Sequence, residues 1–207
     1  MPGLAADDRV ASLVDKSLVA PQGAGSAPRY LMLETIREYA LEQLDARDEL
    51  DEAAARHALH FTELAEHSEQ ALRGDDRAAW LRSLSDDHPN FRAALEWTLA
   101  RSDPDMALRL AGALWQFWHA HGDLGEGRTW LERALDCRGA EPSVHRAKAL
   151  GGAVALAAVS GDVAAARTHA AARFQSPSRS ARYPRFVITE TTTRSSPARS
   201  AATAASA

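Results

Sequence analysis

The apolar residues of this chain recur mostly every three to four positions. Residues 7–17 place Val10, Leu13 and Val14 on one face, with Asp7 or Asp8 near the start, and predict a helix. Two apolar runs follow, Leu18-Val19 and Tyr30-Leu31-Met32-Leu33. They flank a Pro/Gly/Ser-rich stretch at 21–28, a pattern that predicts a β-hairpin with a long turn. From Glu34 the helical period takes over. A helix over 34–46 aligns Ile36, Tyr39, Ala40 and Leu44. The next, about 50–72, aligns Leu50, Ala54, His57, Phe61, Leu64, Ser68 and Ala71. Gly74-Asp75-Asp76 separates it from a helix with Trp80, Leu81 and Leu84. Asp86 or Asp87 is placed to cap another with Phe91, Leu95 and Leu99. Asp103-Pro104 opens a further helix carrying Leu110, Leu114, Phe117 and Trp118, with proline in the first turn where its missing N–H costs little.

An internal repeat follows. HGDLGEGRTW (121–130) and SGDVAAARTH (160–169) share Gly-Asp and Arg-Thr at a constant offset of 39 residues, and Gly112 maps onto Gly151 by the same step. Each unit reads as helix, tight turn, helix. Gly122 and Gly161 are expected to end the first helix, and Asp123 and Asp162 to cap the second. Gly112, Ala113, Gly151 and Gly152 are small enough to let neighbouring helices approach closely. Such repeats bury their apolar faces by stacking, and the stack leaves a face for partners. After about residue 173 the period stops. Residues 174–207 are rich in Ser, Thr, Arg, Pro and Ala, which predicts disorder. Because the break falls inside the last helix of a repeat, a truncated or frame-shifted reading frame is the expected cause.

Charge sharpens this picture. The net charge is −4, yet from Arg173 onward there are six Arg against one acid, Glu190. The preceding body is therefore acidic, which argues against a broad nucleic-acid surface, since phosphate binding needs clustered Lys and Arg. Cys137 is the one cysteine and excludes an intrachain disulfide framework. The N-terminus lacks the basic start and apolar core of a signal peptide. The most apolar run, Ala149–Val159, is too short to span a bilayer. A cytoplasmic protein is predicted.

Candidate chemistry is sparse. His57, His60, Glu63 and His67 lie on one helix, and the last three could share a face toward a metal, but HExxH is absent and an ordinary helix surface is the simpler reading. His119 and His121 could stabilise a helix C-terminus when charged. No GxSxG surrounds any serine, and nothing around Cys137 suggests a nucleophile. Trp80, Trp97, Trp115, Trp118 and Trp130 read mainly as core, with Trp115 and Trp130 beside the principal apolar stripe and so the best candidates for a ligand groove. The 7–17 helix carries Arg9 and Lys16 against Asp7, Asp8 and Asp15, a poor set for reading bases. No GxxxxGK[ST] loop occurs. No catalytic, cofactor-binding or metal-ligating residue is therefore nominated, and no enzyme activity is expected.

Several strings in order carry a family resemblance. LVDKSLV (13–19), RYLMLETIREYALEQL (29–44), RHALHFTELAE (56–66), DHPNFRAALEW (87–97) and ALRLAGALWQFWHAHGDLGEGRTWLERAL (107–135) resemble the STAND-class ATP-binding regulators. These include large LuxR-type and antibiotic-regulatory-protein-type bacterial activators. The resemblance covers about 10–172. It implies a partial winged-helix segment at 1–46, a helical linker domain at 47–102 and tetratricopeptide-like repeats at 103–172, followed by the tail at 173–207. The resulting fold is mainly α with one β-hairpin. In such regulators the winged helix usually acts as a lid on a nucleotide module rather than reading DNA. A Met-His-Asp triplet that contacts phosphates in some of them corresponds to Met32-Leu33-Glu34 here, and Leu33 cannot donate a hydrogen bond. Glu34 could instead pair with Arg37. The resemblance implies a non-catalytic sensor fragment that binds a protein or small-molecule partner on its repeats. The alternatives are a component of an ATP-hydrolysing switch whose nucleotide module lies outside this chain, and a winged-helix DNA binder.

Overall fold

A computed structural model describes residues 6–22, 29–137, 139 and 142–175. The expected disorder of 174–207 falls almost wholly outside these residues. Among them the chain is mainly helical with one two-stranded antiparallel hairpin. The elements are α1 (Ala6–Asp15), β1 (Ala20–Gln22), β2 (Arg29–Leu31), α2 (Glu34–Asp45), α3 (Leu50–Ala71), α4 (Arg77–Asp86), α5 (His88–Ala100), α6 (Pro104–His121), α7 (Leu124–Leu135), α8 (Val144–Val159) and α9 (Val163–Gln175).

The first strand lies later in the chain than its apolar run suggests, while the second begins one residue before its run and ends at Leu31. Ala20 pairs with Leu31, Pro21 with Tyr30 and Gln22 with Arg29. Leu18-Val19 is not the strand. Ser17 takes a left-handed φ of 58°, and the Leu18 N–H returns to the Leu13 carbonyl, so Leu18 completes the end of α1. Val19 then turns inward and is buried. Pro21 sits in a strand with an open edge, where a missing N–H breaks no further ladder. Arg29 holds the hairpin to the α4–α5 corner. Its guanidinium donates to both carboxylate oxygens of Asp87 (2.9 and 2.7 Å) and to the Ser83 carbonyl (3.2 Å). That carboxylate is thereby occupied: Asp87 precedes α5 but makes no side-chain cap.

The core is centred on α6. Ala107, Leu108, Leu110, Ala111, Gly112, Ala113, Leu114, Phe117 and Trp118 are buried, almost all around the helix. A helix apolar on all sides belongs in an interior, and α6 packs against α3, α5, α7 and α8. One apolar cluster runs continuously from Ala58 on α3 through Phe91 and Leu95 on α5 to Leu156 on α8. The helices pair as α3 with α5, α6 with α7 and α8 with α9, while α3, α6 and α8 lie side by side through α6.

At the two Gly-Asp turns the expected glycine conformation is present, and one of the two expected aspartate caps forms. Gly122 and Gly161 both adopt positive φ, 97° and 76°. Asp162 caps α9 by accepting from the Ala165 N–H (3.0 Å). Asp123 does not cap α7, because its carboxylate is drawn to His121 Nδ1 (2.8 Å) instead. The small residues do bring helices together. A Cβ on Gly112 would lie 3.3 Å from the Ala149 backbone nitrogen, and one on Gly152 would lie 2.7 Å from Trp115 Cβ.

Candidate functional site: a charged face on α3, α6 and α8

Once α3, α6 and α8 stand side by side, their polar positions form one face. Glu66, Glu69 and Gln70 on α3, with Arg73 just past its end, recur at helical spacing and line one side. Glu66 accepts from Arg109 of α6 through both oxygens (3.0 and 2.9 Å). Glu69 reaches across to Lys148 of α8, and both side chains are largely buried. Asp105 of α6 meets His145 Nδ1 of α8 at 2.7 Å. Gln116, with its amide oxygen turned toward α3, accepts from Arg73 (3.2 and 2.7 Å). Glu66, His67, Glu69, Gln70 and Arg73 line a hollow here. The Arg109 guanidinium holds the Glu66 carboxyl below its ordinary pKa. Burial pushes that of Glu69 up, and the Lys148 ammonium offsets this in part. The charges of this face alternate and are mutually paired. The face lacks the run of unpaired cations that a phosphate backbone needs.

A second cluster joins α5 to the α6–α7 turn. Glu126 accepts from Arg92 through both oxygens (2.7 and 2.8 Å) and from Trp130 Nε1 (3.0 Å), and it meets His88 Nε2 at 3.1 Å. His121 stacks on Phe117, with its Nε2 3.0 Å from Ser85 Oγ. The Arg92 hydrogen bond foremost, with the Trp130 bond and the nearness of His88, depresses the Glu126 carboxyl from 4.5 to about 2 against the opposing effect of burial. A carboxylate held below its unfolded pKa stabilises the fold above pH 4.5, and that contribution disappears as pH falls toward about 2. Glu126→Gln is therefore expected to lower the urea midpoint at neutral pH and to narrow the gap between pH 7 and pH 3. An undiminished gap in paired urea titrations would place the acid sensitivity elsewhere.

The sequence candidates are dispersed. His57 and His60 pack on Phe61, at 4.6 and 5.0 Å between ring centroids, and His67 packs on Trp80 at 5.6 Å, so they do not converge with Glu63 on a common point. Burial lowers the His57 pKa. His119 packs edge-on to Trp115. Trp118 is fully buried, Trp80 and Trp97 are half-buried, and Trp115 covers Gly152. Trp130 is not an exposed anchor: it is 7% exposed, because its indole donates to Glu126 and Arg133 covers its ring. Cys137 is half-buried beside a shallow hollow with Leu99, Thr129 and Arg133. Leu33 is exposed at the start of α2, and Glu34 pairs with Arg37 at 3.3 Å. The sequence reading passed over Glu66, Glu69, Arg109 and Lys148. The spacing of Glu66, Glu69 and Arg73 hinted at a shared face, but their partners lie 43 and 79 positions away.

Three curated relatives carry the provisional name HTH-type transcriptional regulator, one from Mycobacterium bovis and two from strains of Mycobacterium tuberculosis. Each is 35% identical to this chain over 129 residues, or 62% of it. The chain spans 14% of the length of these relatives. No protein-family profile matches the chain. No solved structure matches it either. No helix among the described residues is long and apolar enough to cross a membrane.

Proposed function

We propose that this chain is a non-catalytic sensor region of a signal-responsive transcriptional regulator of the STAND class, working in the cytoplasm. The observation that carries this reading is the 35% identity over 129 residues with proteins named as HTH-type transcriptional regulators. In this reading 1–46 is a partial winged-helix segment, 47–102 a helical linker domain and 103–172 tetratricopeptide-like repeats. The paired helices of α3–α9 and the 39-residue recurrence of Gly-Asp and Arg-Thr support that assignment. The α3–α6–α8 face takes a protein or small-molecule partner of mixed charge. Binding there shifts the population of the larger protein between two arrangements, in proportion to the ligand's preference for one of them. The relatives' name points to DNA recognition somewhere in their length. In this chain the acidic α1 and the neutralised face favour indirect control, with direct DNA contact made elsewhere.

The test is a chromosomal Arg73→Glu substitution compared with deletion of the whole gene. Arg73 is exposed on the face and outside the apolar core. The expected result is that both strains change the same small set of transcripts. A deletion that leaves the transcript profile unchanged would sink the regulator reading. An Arg73→Glu strain indistinguishable from wild type, beside a deletion that does change transcripts, would remove the face from the mechanism. Salt-sensitive binding of a random DNA duplex by the purified chain would instead favour the winged-helix DNA binder.

A further inference from the structure

The α5–α7 junction brings together the donor types that a transition metal uses. Among the described residues, His88, Asp123 and Glu126 present ligand atoms all within 4.8 Å of one another. His121 adds a second imidazole, with Nδ1 2.8 Å from Asp123 Oδ2. We propose that His88, Asp123 and Glu126, with His121, form a zinc-class divalent metal site clasping α5 to the α6–α7 turn.

Two imidazoles and two carboxylates suit zinc and its first-row neighbours. Ligands at about 2.1 Å from a tetrahedral ion lie roughly 3.4 Å apart, so shifts of about an ångström bring His88, Asp123 and Glu126 around an ion, with His121 reaching it beside Asp123. The rings are already oriented. Phe117 stacks on His121 and meets His88 edge-on. In the ion-free protein His121 Nδ1–H donates to Asp123 and Ser85 Oγ can donate to Nε2; an ion would displace the Nδ1 proton, and Ser85 Oγ could then accept from Nε2–H. Such outer contacts fix the tautomer of a ligating histidine. The ligands come from α5, the end of α6 and α7, so a bound ion would bridge three segments that close packing already holds near one another. Arg92 is the competitor. It occupies both Glu126 oxygens, but its side chain is 55% exposed and can swing into solvent as the ion enters. Once Arg92 leaves, the site offers both of its carboxyl groups to a divalent ion.

The experiment is isothermal titration of the full chain with zinc chloride, followed by cobalt chloride with visible absorption. Wild type is expected to bind one zinc and to give a cobalt d–d band of reduced symmetry. His88→Gln with His121→Gln keeps hydrogen-bond donors at both positions but removes the imidazoles. It is expected to weaken zinc binding at least about tenfold and to lose the band. Arg92→Ala is expected to tighten binding, whereas a merely structural ion pair would leave it unchanged. His60→Gln with His67→Gln controls for surface histidines and should leave the affinity intact. Equal zinc affinity in wild type and in the His88/His121 double variant overturns the proposal, as does the absence of binding or of a cobalt band in wild type.

Discussion

Trp118→Ala is expected to cost about 3–5 kcal/mol, the range for removing a large aromatic side chain from a packed core. Trp118 is 1% exposed and sits where α6 meets α7 and α8. Its environment leaves little room for collapse. A Cβ on Gly127 of α7 would lie 2.8 Å from Trp118 Cβ and 2.7 Å from Leu156 Cδ1, so the three helices already touch there. The loss is a large part of the 5–15 kcal/mol that holds typical domains together, so the variant should be at least partly unfolded at physiological temperature. Urea titration followed by far-UV circular dichroism measures it. Trp118→Phe should cost much less, because the buried indole N–H has no hydrogen-bond partner to lose. The reciprocal change tests the geometry. Gly127→Leu should destabilise wild type by overpacking, but cost less in the Trp118→Ala background, where it fills the vacated space. Strict additivity of the two substitutions would mean that the side chains do not share one space.

Much of the helical architecture could be read from the sequence, because apolar spacing is a local property. The helix from Pro104 and the glycine turns at 122 and 161 follow directly from such signals. Other helix ends did not. Ser17, Asp48 and Ser102 take left-handed φ of 58°, 56° and 52° and finish α1, α2 and α5. Each is followed by an N–H that returns to a carbonyl five residues back: Leu18 to Leu13, Glu49 to Leu44 and Asp103 to Thr98. Serine and aspartate tolerate this conformation less readily than glycine, so composition gave no warning. The first strand shifted for that reason. The polar faces were hidden differently. Glu66 and Arg109, or Glu126 and Arg92, are common surface residues until packing brings them within 3 Å. Their pairing depends on which helices become neighbours, and that is decided by the core around α6.

Glu69 and Lys148 offer the second large effect, and it should reverse sign between single and double variants. Their side chains are 15% and 12% exposed, and they join α3 to α8 across α6. Burial raises the Glu69 carboxyl pKa despite the nearby ammonium, so desolvation outweighs the attraction. Such a pair contributes little net stability, yet removing one member strands the other. Lys148→Met is expected to cost about 3 kcal/mol at pH 7, where Glu69 would be left as a buried anion. Part of that cost should return in acid as Glu69 takes up a proton. The sign is opposite to that of Glu126. The folded chain holds the Glu69 proton more tightly than the unfolded chain does, so this group weakens the fold as pH rises past 4.5. Glu69→Met with Lys148→Met should be neutral or stabilising, because two thioether chains of similar length replace two desolvated charges. A double-mutant cycle by urea denaturation gives the answer. A loss equal to the sum of the singles would mean that the two side chains do not interact, whereas a double variant still clearly destabilised, but by less than that sum, would make the pair a net source of stability. The α3–α8 contact then depends on charge rather than on the apolar packing around α6.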